Sequence, residues 1–222
     1  MTLFRGICRS AVLLFAAIIL LDWAPVKAFA IEYDSLVAQL KEDDWQTHFS
    51  SSAEREELNR SYEALLTLTG NKGINWRIRI RGIILVSYTS NPERAVTLIH
   101  MYHNPFFNAG CPSIKSSIIT ALGNIDNDPK VVDTIIEGTN DSEIIVRETA
   151  IRALGKLGDG RAVPCLIGKL NDSSFAIRLA AIRSLAEIKD ERAVPHLQNI
   201  VHTDHEGLLK NEALSAIDKI RS

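Results

Sequence analysis

The chain reads as all-α, built from stacked pairs of helices, and two observations carry that reading. One stretch is written twice: Val146–Leu170 (VRETAIRALGKLGDGRAVPCLIGKL) returns 31 positions later as Ile177–Val201 (IRLAAIRSLAEIKDERAVPHLQNIV). Arg147, Ala150, Ile151, Arg152 and Leu154 fall on Arg178, Ala181, Ile182, Arg183 and Leu185, and Arg161-Ala162-Val163-Pro164 falls on Arg192-Ala193-Val194-Pro195. Self-similarity at about 30 to 50 residues marks an array of supersecondary units, each unable to bury its apolar face alone. Within each copy the apolar residues recur at helical spacing, so the unit is a pair of helices.

Composition sets the outer limits. The chain has 222 residues, 46% of them hydrophobic, with a net charge of −2 and acids and bases interspersed. A nucleic-acid surface needs a strong basic excess, so no nucleic-acid partner is expected. Without residues 1–30 the remainder carries 22 bases and 26 acids.

Those first thirty residues read as an export signal. Arg5 and Arg9 precede Ala11–Leu21, an apolar run of eleven residues, and Ala28-Phe29-Ala30 fits the small-x-small cleavage rule. As a helix the run spans about 16 Å, short of a hydrocarbon core of about 30 Å. The expectation is a cleaved secretory signal, a mature chain from Ile31, a periplasmic or secreted location and no stable membrane span. An uncleaved N-terminal anchor is the alternative.

Residues 31–222 form the repeat domain. Residues 31–70 are its opening cap. Leu36–Leu40 followed by a polar turn and Trp45 resembles Leu166–Leu170 followed by a polar turn and Phe175, so residues 32–42 are expected to be the second helix of a truncated unit. Glu54–Leu68 has Leu58, Tyr62, Leu65 and Leu66 at helical spacing. Repeats fill residues 75–201. In Trp76–Val86 the alternation of Arg and Ile looks locally like a strand. The repeat register overrides it, because Arg79, Gly82 and Ile83 stand where Arg147, Ala150 and Ile151 stand, and a helix is expected. Asn91-Pro92 and Asp128-Pro129 look like caps followed by Pro at the first helical position. Asp141-Ser142 and Asp172-Ser173 look like the caps of the two clearest units. Residues 204–221 supply a closing helix, polar on its outer side.

The pattern V-R-x-x-A-I-R-A-L-G-x-L-G-D-x-R-A-V-P-x-L over Val146–Leu166 resembles a HEAT repeat of the bacterial, phycobilisome-lyase-associated kind. That resemblance implies an α-solenoid of about five antiparallel helix pairs in a right-handed superhelix, with second helices on the concave side. It also implies a non-catalytic scaffold that binds another protein, with a subunit of a chromophore lyase as the alternative. Export weighs against the lyase, since bilin attachment is expected in the cytosol. HEAT-type iron hydroxylases use several His-Glu dipeptides, and this sequence has only His205-Glu206.

Candidate chemistry is thin, and no cofactor is expected. His100/His103 and His202/His205 have His-x-x-His spacing, which suits two ligands of a metal site, whereas a closed zinc site needs four, or three plus water. Exposed helix-end histidines are the plainer reading, and a metal-binding solenoid is a third alternative. Cys111 and Cys165 fall at opposite ends of a helix pair, so free thiols are expected. The junction His100–Pro112 exceeds its counterpart by about four residues and concentrates Tyr102, Phe106 and Phe107. These aromatics either plug a gap between units or anchor a partner. The register stacks Thr97, Asp133, Cys165 and His196 on successive second helices, with Met101, Glu137, Lys169 and Ile200 one turn on. That mixed stripe contains no nucleophile–base pair or phosphate loop. Tyr102, Phe106, Phe107 and His196 are the candidate partner contacts.

Overall fold

A computed structural model describes residues 33–49, 56, 58–108, 111–126, 128–203 and 207–222. The proposed signal, residues 1–30, lies outside them. All regular structure among the described residues is helical. Helix α1 covers residues 33–39, and a single 3-10 turn follows at Thr47–Phe49. After it come α2 (Tyr62–Gly70), α3 (Trp76–Tyr88), α4 (Arg94–His103), the short α5 (Pro105–Asn108) and α6 (Pro112–Leu122). Then follow α7 (Pro129–Gly138), α8 (Ile144–Leu157), α9 (Val163–Lys169), α10 (Phe175–Ile188), α11 (Val194–Thr203) and α12 (Leu208–Arg221).

First helices stack on first helices, α3 on α6, α6 on α8, α8 on α10 and α10 on α12, while each second helix packs against the next first helix. The result, among the described residues, is an α-solenoid of five pairs followed by α12, with one continuous core cut into slices. Ile151, Leu154, Ile182 and Leu185 have no exposed surface, and burying each such side chain contributes roughly 1.5–3 kcal/mol. Small residues set the helix spacing. A Cβ added at Gly155 would lie 2.8 Å from the Ser184 Cα, and the Ser184 hydroxyl donates to the Ile151 carbonyl at 2.9 Å across the same contact.

The Arg–Ile stretch is helical, as the repeat register requires. Asn75 caps α3 by accepting from the Arg77 N–H at 2.9 Å. Its core face is Ile78, Gly82, Ile83, Leu85 and Val86, and Arg79 is buried as well. Arg79 Nε donates to the Thr69 carbonyl at 3.0 Å and Nη2 to the Phe107 carbonyl at 3.1 Å. Arg147 and Arg178 do related work in their own units, donating to the carbonyls of Asp141 and Ser142, and of Asp172 and Ser173. The repeated arginine thus ties the incoming turn to the helix that follows.

Three expectations are corrected. Helix α1 is a first helix, not a second. The Tyr33 hydroxyl accepts from Asn71 just before α3, and Arg81, in mid-α3, donates to the carbonyls of Leu40 and Glu42, so α1 runs alongside α3 in the same direction. Its antiparallel mate is α2, which lies parallel to α4: ahead of the two helices the Ser90 N–H donates to Asn59 Oδ1 at 2.5 Å, and further along the Tyr62 hydroxyl meets Thr97 Oγ1 at 2.8 Å. The likeness of Leu36–Leu40 to Leu166–Leu170 reflected helix-end composition rather than register. Secondly, Asn91 does not cap α4, which begins at Arg94; its side chain accepts from the Glu93 N–H instead. Asp141 and Asp172 likewise close turns onto Glu143 and Ser174, standing two residues ahead of these N-cap positions rather than capping the helices themselves. Asp128 does cap α7, with Pro129 at the first helical position. Thirdly, Met101 is buried and leaves the proposed stripe.

Candidate protein-binding face

The second helices place their outer side chains on one face at matching positions. On α7 this face shows Asp133 and Glu137, on α9 the half-exposed Cys165 and Lys169, and on α11 the exposed His196. Thr97 of α4 is half-buried and occupied by Tyr62. Neighbouring units touch along the face. His103 Nε2 stands 3.7 Å from Glu137, Arg161 Nη1 stands 3.8 Å from Asp133, and Lys169 Nζ donates to Asn140 at 2.8 Å. The contacts of Glu137 and Asp133 are long and exposed, so they contribute little to stability and leave these carboxylates available to a ligand. Cys165 Sγ sits 3.2 Å from the Thr139 hydroxyl, and both Cys111 and Cys165 are free thiols.

A feature missed by the sequence reading borders this face. Asp159 caps the 3-10 turn Gly160–Ala162 by accepting from the Arg161 N–H, and the Arg161 guanidinium grips the same carboxylate at 2.7 Å. Asp190 and Arg192 repeat the arrangement at Glu191–Ala193. Hydrogen bonds from the arginine side chain, then from its backbone, hold both carboxyls below the usual carboxylate range. Arg192 Nη2 then donates to the Gly160 carbonyl at 2.7 Å, linking one unit to the one before. The signal was present as an Asp two residues before each repeated Arg.

The four candidate contacts separate. Tyr102 is buried, 4% exposed, with its ring under Lys115, so a partner cannot reach it; this corrects the expectation. Phe107 is half-buried against the core and the Gly70 end of α2, the gap-filling role. Phe106 is 52% exposed, held in α5 where its N–H donates to Asn104 Oδ1 at 2.9 Å. His196 is exposed on α11. Of the histidine pairs, His100 exchanges a hydrogen bond with Asn104 at 3.2 Å while His103 faces Glu137, so the two rings are engaged apart. His202 is exposed on α11, and His205 lies outside the described residues. Among the described residues no three His, Cys, Asp or Glu side chains converge as a metal site.

A family model for HEAT repeats matches residues 105–168 and 132–218, together more than half of the chain. The chain belongs to the HEAT-repeat family. Solved structures of similar fold include the complex of CpcE and CpcF of phycocyanin lyase from Nostoc sp. PCC7120, at 19% identity and TM-score 0.56, covering 71% of this chain and 98% of that one. A designed armadillo repeat protein in complex with the peptide (KR)4 matches at 16% identity and TM-score 0.52, covering 84% of this chain and 98% of that one. At these identities the likeness is one of fold. No curated protein matches the chain.

Proposed function

We propose that this HEAT-repeat solenoid is an exported, non-catalytic module that binds another protein along the face of its second helices. The observation that carries the reading is the regular display there of the exposed Asp133, Glu137 and His196 and the half-exposed Lys169 on a continuous stack. Such a surface suits an extended partner that takes one or two contacts per unit. A designed armadillo repeat protein of similar fold is in complex with the peptide (KR)4, which supports peptide binding as a use of such a solenoid. Export rests on the N-terminal pattern of Arg5, Arg9, Ala11–Leu21 and Ala28-Phe29-Ala30.

The test is affinity capture from the native envelope with the full chain, beside a double variant Asp133→Lys/Glu137→Lys and a His196→Ala variant. A partner held by the wild type and lost by the double variant supports the reading. If all three chains retain the same proteins, this face is not the binding surface. N-terminal sequencing of the native protein should begin at Ile31. The CpcE and CpcF likeness raises the lyase alternative, for which a bilin and an acceptor protein would yield a covalent adduct; none is expected.

A further inference from the structure

Large exposed apolar side chains are not scattered over this molecule. Trp76, Phe106, Ile144, Ile145, Phe175 and Leu208 are six of nine among the described residues, each 36–53% exposed. All six lie on the edge where a second helix hands over to the next first helix. Single exposed hydrophobics need no explanation, but a row of them does. First helices pack 8–10 Å apart, so the row from α3 to α12 extends on the order of 40 Å. That length suits a broad surface better than a pocket.

Two further observations say what covers it. Cations stand at the necks of the aromatic tips: Lys72 Nζ is 4.5 Å from the Phe106 ring centre, Arg77 Cζ 5.4 Å from Trp76 and Arg178 Cζ 5.8 Å from Phe175. On the same edge the carboxylates of Asp141 and Asp172 are turned onto backbone N–H groups, and Asp141 also holds Lys115; the exposed acids are Glu143 beside Ile144 and Asp34 beside the chain entry. The described chain also enters here, with the Tyr33 hydroxyl bonded to Asn71. In a chain that keeps its first thirty residues, the uncleaved alternative, the apolar run Ala11–Leu21 would enter the same bilayer, joined through eleven residues that reach at most about 40 Å.

We propose that this edge docks on the surface of a bilayer carrying anionic headgroups. The apolar tips enter the headgroup–acyl boundary, where Trp and Phe are favoured, and the exposed Lys72 and Arg77 meet lipid phosphates. The surface is distinct from the second-helix face, so the two assignments stand or fall separately.

The test uses the full chain with vesicles of phosphatidylglycerol or phosphatidylcholine containing brominated lipid. Fluorescence quenching is compared with that of Trp76→Phe, an exposed position whose replacement leaves the core intact. The difference isolates Trp76 whatever the N-terminal run contributes. Trp76 should be quenched on phosphatidylglycerol, and at least about fivefold less so in Phe106→Ser/Phe175→Ser/Leu208→Ser. Unchanged quenching in Trp76→Phe overturns the proposal, as does full quenching in the triple variant. Equal quenching on phosphatidylcholine overturns the headgroup assignment. Shielding of Trp76 that appears with protein concentration alone assigns the edge to a second copy of the chain.

Discussion

Two glycines in this protein should respond to alanine with opposite signs. Both Gly155 and Gly168 stand in the last turns of their helices, α8 and α9, where Ala is favoured over Gly by up to about 0.5–1 kcal/mol. At Gly168 an added Cβ meets nothing within 4 Å, so Gly168→Ala should stabilise by roughly that amount. At Gly155 the Cβ would press on the Ser184 backbone, which cannot swing aside as a side-chain tip can. Overpacking costs about 1–3 kcal/mol, enough to outweigh the propensity gain, and Gly155→Ala should lower the midpoint of urea unfolding. Titration is local too. Burial pushes the Asp141 carboxyl up, but the hydrogen bonds from Lys115 and the Glu143 N–H, with the Lys115 charge, outweigh it and leave the group below the usual carboxylate range. A depressed folded value means the contribution is present above about pH 4 and lost as pH falls through that lower value. Burial first, then the charges of Asp141 and Glu137, push the Tyr102 phenol up to about 12. That contribution is present below about pH 10 and lost as pH rises toward 12. Unfolding measured against pH should therefore lose part of its acid limb in Asp141→Asn and part of its alkaline limb in Tyr102→Phe.

Helix by helix, the most informative element is α3. Arg79 carries a buried charge whose donors satisfy the ends of α2 and α5. Arg79→Ala leaves the Thr69 and Phe107 carbonyls without that donor, at a cost of about 1–3 kcal/mol. Hydrogen exchange should rise in α5 and at the end of α2 more than in α8 or α10. Uniform protection across all four would show that Arg79 does not tie them. The register made this helix legible, since Arg79 aligned with Arg147 before any contact was known, and it carried α6 to α11 equally well. It failed where the copy decays. At α1 only helix-end composition was left, and composition does not tell a first helix from a second; direction came from Asn71 and Arg81, which are distant in sequence. The candidate site was half legible for a similar reason. Period alone places Asp133, Glu137 and His196 on one face, but not whether a side chain at the same position is buried, as Met101 is, or which aromatic of Tyr102, Phe106 and Phe107 is left outside.

For the molecule as a whole, stability should behave as a sum over units and the interfaces between them. That makes two deletions unequal in a way their lengths do not suggest. Removing residues 142–172 excises one full period and joins Asn140-Asp141 to Ser173-Ser174-Phe175, the same Asn-Asp-Ser lead that natively enters α8. Helix α7 then meets α10 through residues equivalent to those of α8: Ile177 for Val146, Ala181 for Ala150 and Leu185 for Leu154, all buried in the intact chain. The shortened chain should stay soluble, helical and monodisperse, with a lower melting temperature because one slice is gone. Removing residues 208–222 takes away only half a unit. It uncovers the apolar surface of α10 and α11 on which Leu209, Ala213, Ala216, Ile217 and Ile220 are buried. No other segment replaces that cover, so this chain should aggregate. Size-exclusion chromatography with thermal melts by circular dichroism compares the two directly. If the half-unit deletion proves the better behaved, α12 is not the cap that holds the solenoid closed.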